Sequence, residues 1–264
     1  MLPLEWWGLR MRDLRAAAQG FNISGREIHV RPVMVQGGNS VVAELESFLS
    51  PDEITRATGF RFEQLRRSFL LSRGALRFLI GGYLGVSPGK VTLIQGSHGK
   101  PRLAKPEGAG PAFEFNVSHS GEIALFAFTS GCELGVDVER IRPLEDMTRV
   151  ASHFFSREES EELFSLPPCE RERAFYLCWT RKEAYVKAVG EGLSIQLDSF
   201  SVTLRPGEPA SFLHLDHDLS LAQSWMLHDL QIQTGYVAAL AYRDAPRPVC
   251  LQPLITMDQL LRMG

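Results

Sequence analysis

Two carboxylates lie two positions apart in GVDVER, residues 135–140. Because alternate side chains of a β-strand share a face, we expect Asp137 and Glu139 together on one side and Val136 and Val138 in the core. Neighbouring carboxylates repel each other, and a cation between them removes the repulsion. Magnesium suits such oxygen ligands and completes its shell with water and phosphate oxygens. The alternative is a half-exposed strand with solvated acids, which this motif alone favours.

A third carboxylate, Glu183, lies on a helix predicted over residues 170–190. Glu183 precedes Lys187 by four positions, so the two side chains are neighbours on one helix face. They could meet a metal and a phosphate. They could instead form an exposed ion pair worth only about 0.3–0.5 kcal/mol, which the helix alone favours. Trp179 is expected to pack the same helix against the core.

Residues suited to phosphate binding occur in two further places. NVSHSGE puts Ser118, His119 and Ser120 at a predicted turn, where hydroxyls, an imidazole and backbone N–H groups can hold an anion. The alternative is an ordinary turn with local side-chain hydrogen bonds. Lys100 lies in a GKP sequence, whose glycine and proline fix its approach. Six arginines between residues 56 and 77 make that segment basic, which suits a polyanionic ligand.

Hydrophobic spacing and capping signals predict the elements that carry these residues. Capping boxes at Ser50–Glu53 and Ser156–Glu159 mark two helix starts. The other predictions, in chain order, are a strand at 26–35, a helix at about 62–84, a strand–turn–strand pair at 113–128, a strand at 132–141, a helix at 170–190 and strands in FSVTLRP, SWMLHDLQI and YVAALAYR.

This order of elements predicts an α+β protein of two pseudo-symmetric lobes, each a long helix packed on a small, mostly antiparallel sheet. The lobes are expected at residues 26–130 and 131–250, between an N-terminal extension at 1–25 and a C-terminal tail at 251–264. RDAPRPVCLQP is too rich in proline for a helix or a central strand, and we expect it to run along the surface.

Composition excludes several classes of protein. The 264 residues are 44% hydrophobic and 22% charged, which is ordinary globular usage, and the net charge of −3 gives no basic surface for nucleic acid. The four cysteines lack CxxC spacing, so the sequence predicts neither a zinc site nor a disulfide framework. The N-terminus mixes charges where a signal peptide is apolar, and no segment approaches the roughly 20 apolar residues that span a bilayer. We expect a cytoplasmic protein with no membrane partner.

Each motif is weak alone, but their order is specific. The chain resembles the Sfp-type 4'-phosphopantetheinyl transferases, single-chain enzymes with two pseudo-symmetric lobes, over about residues 50–205. The resemblance in sequence and spacing lies in GKP, FNVSHSGEIALFAF, LGVDVERIRP, FFSREE and FYLCWTRKEAYVKAVGEGLSIQLDSF. Its most specific parts are the W-x-x-K-E-A…K and G-V-D-V-E stretches.

The resemblance implies magnesium-dependent transfer of the phosphopantetheine arm of coenzyme A to a serine of a carrier protein, with release of adenosine 3',5'-bisphosphate. It implies metal ligands at Asp137, Glu139 and Glu183. Glu183 would also act as general base, while Lys187 and His119 would steady the leaving group. The positions that it assigns to coenzyme A are Arg56, Lys100, Pro101, Ser118, His119, Asp137 and Lys187. It also implies a monomer, and it leaves Lys182 without a clear role.

Two other functions fit the same residues. One is a non-catalytic module that binds coenzyme A or a carrier protein, although the presence of all three acids and Lys187 argues against it. The other is a magnesium-dependent nucleotide hydrolase, which would release phosphate without any carrier.

Overall fold

The computed structural model of the chain describes residues 21–23, 26–96, 100–104, 112–215 and 218–264. The predicted extension at 1–25 lies outside the described residues except for 21–23, and so does Gly99 of the GKP sequence. The chain divides into two compact units. One includes Val33–Thr92 and Ile255–Gly264, and the other consists of Gly25–Pro32 and Leu93–Leu254.

Eight α-helices, two of them 22 residues long, and twelve short strands lie within the described residues. The helices are α1 (Asn39–Glu46), α2 (Pro51–Thr58), α3 (Glu63–Leu84), α4 (Met147–Phe154), α5 (Arg157–Ser165), α6 (Pro168–Val189), α7 (Leu219–Gln223) and α8 (Met257–Leu261). The strands are β1 (Ile28–Met34), β2 (Leu93–Gln95), β3 (Pro101–Leu103), β4 (Phe113–Ser120), β5 (Ile123–Ser130), β6 (Leu134–Arg140), β7 (Ser201–Val202), β8 (Phe212–His214), β9 (Met226–Asp229), β10 (Tyr236–Tyr242), β11 (Val249–Leu251) and β12 (Ile255–Thr256). Within this described part of the chain, none of the helices could cross a membrane.

The first unit is built around α3, against which α1, α2 and α8 pack. Helix α2 begins as predicted, because Ser50 Oγ accepts the Glu53 N–H and the Glu53 carboxylate accepts the Ser50 N–H. The Glu53 carboxylate also accepts a 2.6 Å bond from Arg77, which joins α2 to α3. Gly85 ends α3 with a left-handed φ of 64°.

Two sheets form the interior of the second unit. The larger has the order β11–β1–β5–β4, with β11 parallel to β1, and the end of β1 pairs with β12 within the first unit. The smaller is antiparallel, in the order β6–β10–β9. Apolar side chains from both sheets meet in one buried cluster, which includes Ile28, Leu125, Val136 and Val138. The predicted inward direction of the two valines is therefore confirmed.

Helix α6 packs on β6 and β10 of the smaller sheet. Most of its middle turns are buried. Trp179 packs on the core as expected, stacking on Phe175 and meeting Phe154 edge to face. Gly190 ends the helix with a left-handed φ of 81°. The helix that carries Glu183 and Lys187 is thus a core element of the second unit and not a solvated one.

The predicted α+β class, with long helices and small, mostly antiparallel sheets, is confirmed. The lobe boundary at residues 130 and 131 and the tail at 251–264 stay predictions. The proline-rich segment is not a surface loop throughout, because β11 lies within it as a half-buried edge strand. Its predicted absence from the centre of a sheet is confirmed. The sequence prediction missed α8, which begins with a capping box at Thr256 and buries Met257 and Leu260.

Candidate active site

Helix α6 and strand β6 are in close backbone contact at Gly135. A Cβ atom at this position would lie 2.2 Å from the carbonyl oxygen of Ala184 and 2.3 Å from the backbone nitrogen of Ala188. Only glycine fits here, because the backbone of a packed helix cannot move aside as a flexible side chain can. This contact brings Lys187 of α6 to Asp137 of β6.

Gly135→Ala is therefore expected to force α6 away from β6. The free energy of unfolding should fall by about 1–3 kcal/mol, the usual cost of overpacking, or by more. Chemical denaturation measures this loss. Gly89→Ala is the matched control, because a Cβ at Gly89 meets nothing within 4 Å; its stability should stay within about 0.5 kcal/mol of the parent. Equal midpoints for the two variants would contradict the close packing.

Polar side chains of β4 join this strand to β6, which belongs to the other sheet. Side chains two positions apart point to the same side of β4, and each accepts a hydrogen bond from a backbone N–H of β6. The three bonds run from the N–H of Val136 to Asn116 Oδ1 (2.9 Å), from that of Val138 to Ser118 Oγ (3.3 Å) and from that of Arg140 to Ser120 Oγ (3.1 Å). These β4 side chains thus accept hydrogen bonds from N–H groups of β6 that would otherwise bond to the backbone of a neighbouring strand.

The two serine hydroxyls also hold the two acids of β6. Ser118 Oγ donates to Asp137 Oδ1 at 2.8 Å, and Ser120 Oγ donates to Glu139 at 2.5 Å. Asp137 and Glu139 therefore share a face of β6, as the sequence predicts. The prediction that Ser118, His119 and Ser120 lie in a turn is wrong, because all three belong to β4 and the turn follows them at Gly121.

The two carboxylate oxygens of Asp137 differ in their contacts. Lys187 Nζ lies 2.6 Å from Oδ1 and donates to Ser118 Oγ at 2.9 Å. Oδ2 is buried, and among the described residues nothing forms a hydrogen bond with it. A buried carboxylate oxygen without a partner is costly. A cation at Oδ2 would remove this cost, so the residues present fit a metal ion.

The pKa values of Glu139 and Glu183 are raised, as expected for acids that lie close together in a partly buried site. Burial raises the pKa of the Glu139 and Glu183 carboxyls, and the charge of Asp137 raises both pKa values further. The charge of Asp137 therefore disfavours the charges of Glu139 and Glu183, and a dication beside these carboxylates would favour their charged forms. Their oxygen atoms do not all lie within 4.8 Å of one another. The structure thus brings the predicted ligands to one place without assembling a finished coordination shell.

A cavity of about 360 Å³ adjoins these groups. Its lining combines polar side chains with an apolar wall, as ligand-binding cavities commonly do. The lining residues include Lys100, Pro101, Phe115, Val117, Glu183 and Lys187. Four predicted site residues therefore line one cavity in the second unit.

Lys100 is held at the end of α6. Its Nζ donates to the carbonyl oxygens of Lys187 at 2.6 Å and Leu134 at 3.3 Å. Burial, reinforced by the positive charge of Arg102, lowers the pKa of Lys100 to about 8. The carbonyl end of a helix favours a cation, which suits this position.

The other two predicted residues lie on β4 and α2. His119 is exposed on β4. Partial desolvation of its ring lowers the pKa, and the charge of Lys187 lowers that pKa further, so its neutral form is favoured. Arg56 lies on α2 in the first unit, with its guanidinium 5.4 Å from the centroid of the Phe69 ring. The assignment of both residues to coenzyme A stays a prediction.

Lys182 is a structural residue. Its side chain is 1% exposed, and Nζ lies 2.8 Å from Glu159, which is equally buried. Nζ also donates to the carbonyl oxygen of Leu197 at 2.6 Å. Glu159 is the residue that completes the capping box of α5. Lys182 thus ties α6 to the start of α5, while the next residue, Glu183, lines the cavity.

The structure excludes one of the two roles considered for Lys187. An exposed pair with Glu183 is wrong, because Lys187 contacts Asp137 and is 29% exposed. In the part of the chain that the structure describes, no ion pair joins Lys187 to Glu183. The sequence prediction missed Asn116 and Gly135. The signals were available: Asn116 begins an alternating N-x-S-x-S pattern on β4, and Gly135 interrupts a buried strand.

Sequence comparisons identify the class of protein that this fold and site define. The profile described as the 4'-phosphopantetheinyl transferase superfamily matches residues 133–241. A second profile, described as the N-terminal part of 4'-phosphopantetheinyl transferase, matches residues 39–130. The two matches adjoin along the chain and describe one class of enzyme.

Individual relatives agree with the profiles. The 4'-phosphopantetheinyl transferase HetI of Nostoc sp. is 39% identical over 215 residues, which cover 81% of this chain and 87% of the relative. The 4'-phosphopantetheinyl transferase Sfp of Bacillus subtilis is 28% identical over 218 residues, covering 81% and 91%. The L-aminoadipate-semialdehyde dehydrogenase-phosphopantetheinyl transferase of Homo sapiens is 25% identical over 207 residues, covering 74% and 67%. The chain belongs to the 4'-phosphopantetheinyl transferase family, which confirms the resemblance.

Proposed function

We propose that the protein transfers the phosphopantetheine arm of coenzyme A to a serine hydroxyl of an apo-carrier protein and releases adenosine 3',5'-bisphosphate. The observation that carries this proposal is Asp137, whose buried Oδ2 has no partner among the described residues while Lys187 holds Oδ1. Glu139 and Glu183 lie near enough to Asp137 to interact with its charge. Such a site can hold a cation and a phosphate side by side.

Magnesium is the cation that fits these carboxylates, with Asp137, Glu139 and Glu183 as the residues that would hold it. When bound, magnesium would neutralise charge on the pyrophosphate of coenzyme A. Ser118 and Ser120 hold the carboxylates of Asp137 and Glu139 in position.

The remaining residues would transfer the proton of the carrier serine and stabilise the charge of the pyrophosphate. Glu183 lines the cavity and would accept the proton of the carrier serine, which is a poor nucleophile without a base. Lys187 would turn its ammonium group to the pyrophosphate, and His119 would assist it once charged. The nucleotide end is assigned to Lys100 and Pro101 at the cavity, with further contacts proposed for Ser118 and Arg56.

The test is incubation of the purified protein with coenzyme A, magnesium and a panel of apo-acyl, apo-polyketide and apo-peptidyl carriers, followed by mass spectrometry. A mass gain of one phosphopantetheine arm is expected, and none is expected when the carrier serine is replaced by alanine. A holo-[acyl-carrier-protein] synthase type of enzyme would modify the acyl carrier. Binding without a mass gain on any carrier would favour a binding module. Phosphate release from nucleotides without a carrier would favour a hydrolase.

The lowered pKa of Lys100 predicts how coenzyme A binding depends on pH. A phosphate beside Lys100 favours the charged ammonium, so the pKa rises from about 8 when the ligand binds. Below pH 8 the Lys100 ammonium is charged both in the free protein and in the complex, so this lysine does not make the affinity for coenzyme A depend on pH. Above pH 8 binding must take up a proton, and affinity should fall up to tenfold per pH unit.

Calorimetric titration with coenzyme A at pH 7, 8 and 9, in buffers of different ionisation enthalpy, measures both the affinity and the proton uptake. Lys100→Arg is the matched control, because arginine stays charged throughout this range. Subtracting its profile removes the titration of the coenzyme A thiol. Identical profiles for the parent and Lys100→Arg would exclude Lys100 from the phosphate site.

We further propose that the protein acts as a cytoplasmic monomer. A single chain that contains all the proposed site residues needs no second copy to complete the site. Light scattering of the purified protein tests the monomer, and cell fractionation tests the compartment.

A further inference from the structure

Three side chains with metal-binding atoms come together outside the candidate active site. His29 on β1 and Cys250 on β11 are direct neighbours in the parallel pairing of these strands. Glu27 precedes His29 by two residues and lies on the same side of the chain. The imidazole nitrogen, the thiol sulfur and a carboxylate oxygen all lie within 4.8 Å of one another.

The distances within this cluster suit a tetrahedral metal ion. Glu27 Oε2 lies 3.4 Å from His29 Nε2, a contact that is a hydrogen bond in the metal-free protein. Two ligands bound tetrahedrally at about 2.0–2.1 Å stand about 3.3–3.4 Å apart, so this pair already has the spacing of zinc ligands. A thiolate bound at about 2.3 Å would stand about 3.6 Å from the imidazole nitrogen. Cys250 therefore needs to move by no more than about an ångström.

The chemistry of the ligands selects the class of metal. Imidazole and thiolate suit zinc and other late first-row metals, whereas magnesium prefers oxygen ligands alone. A carboxylate and a thiolate together carry two negative charges, which neutralise a dication. Arg31, two residues after His29, carries a positive charge that would repel a bound cation. The negative charges of both the carboxylate and the thiolate are therefore needed to bind the metal.

Burial determines the kind of site. His29 is 7% exposed, while Glu27 and Cys250 are half-buried. One side of the cluster is therefore fixed in the protein, and the other is open to a water molecule as fourth ligand. Strand β11 has only three residues and lies at the sheet edge, so a metal shared by β1 and β11 would add a side-chain link to a short edge strand.

We propose that Glu27, His29 and Cys250 form a site for one zinc ion, or a similar late first-row divalent metal, that joins β11 to β1. The cysteine spacing predicted no zinc site, because this cluster contains one cysteine and is assembled by strand pairing between distant parts of the sequence. The site shares no residue with the magnesium site proposed above, and neither proposal depends on the other.

Zinc binding to untagged, metal-free protein tests this site by competition with a chromophoric chelator, together with X-ray absorption of the zinc-loaded protein. We expect one zinc ion per chain, with a single sulfur ligand and at least one imidazole. Cys250→Ser should lose the sulfur ligand and weaken zinc binding at least tenfold. Glu27→Gln should weaken it as well, while keeping the shape of the side chain.

Cys169→Ser is the matched control, because Cys169 is an exposed free cysteine outside the cluster. It should keep the sulfur ligand and the parent affinity. Circular dichroism of each metal-free variant verifies that it is folded, and Cys250→Ser should keep its transferase activity with magnesium. Absence of zinc binding by the parent would overturn the proposal. Equal affinity in the parent and Cys250→Ser, or loss of the sulfur ligand in Cys169→Ser, would overturn it too.

Discussion

Replacing Glu183 by glutamine should lower the turnover of carrier modification by about 10²–10⁴-fold, the range that a positioned general base contributes. The amide keeps the size of the side chain but can neither accept the serine proton nor offer a negative charge to a metal. The affinity for the carrier should change little, because Glu183 lies at the cavity beside Lys187 and Asp137 and not on a surface helix. Single-turnover kinetics with saturating carrier measure the effect on the chemical step.

Glu170→Gln is the matched control for this prediction. It makes the same change on the same helix, at an exposed position near the helix start, and should leave turnover within about twofold. A magnesium titration separates the two proposed roles of Glu183. A base alone leaves the magnesium requirement unchanged, whereas a ligand shifts it upward. Turnover of Glu183→Gln within about threefold of the parent would exclude both roles.

Replacing Lys182 by methionine should lower the free energy of unfolding by about 3–5 kcal/mol, the cost of removing one partner from a buried ion pair. Lys182 and Glu159 are each 1% exposed, so water cannot replace the lost ammonium. The uncompensated carboxylate of Glu159 also belongs to the capping box of α5, which should loosen with it. Urea denaturation measures the loss.

Arg173→Met is the control for Lys182→Met, because it removes a positive charge from an exposed position of the same helix; its stability should change by less than about 0.5 kcal/mol. Adding Glu159→Gln to Lys182→Met should cost less than the sum of the single changes, since the two side chains are in contact. At low temperature, the folded fraction of Lys182→Met should keep the turnover of the parent. If Lys182→Met kept the stability of the parent but lost its activity, the result would contradict the structural role and favour phosphate binding by Lys182.

Features that depend on neighbours in the sequence were predictable. The capping boxes at Ser50 and Ser156 close within three residues, and both form as predicted. Alternation along β6 correctly gave the sides of Val136 and Asp137, because the side-chain period of a strand is fixed by its backbone. The long helix that carries Glu183 was also predictable, because the helical pattern extends over many residues and Gly190 marks its end.

Features that depend on tertiary contacts were not predictable from the same signals. Lys182 and Glu183 are adjacent in sequence, yet one is enclosed with Glu159 and the other lines a cavity, because α6 is covered on several sides. Likewise, the sequence predicts a turn at Ser118 because Gly121 follows it closely. Only the proximity of β4 to β6, through side chains of two different sheets, reveals that its hydroxyl holds Asp137.

The hydroxyls of Ser118 and Ser120 have a consequence for how this sequence can vary. Each accepts a hydrogen bond from a backbone N–H of β6 and donates one to an acid of the same strand. A substitution that frees the acid also leaves an amide without its partner, so natural selection for folding and selection for catalysis act on the same two oxygen atoms. A lineage that lost the activity would still be held to hydroxyl side chains here by the needs of the fold. Retention of these serines alone is therefore poor evidence that a distant homologue is still an active enzyme.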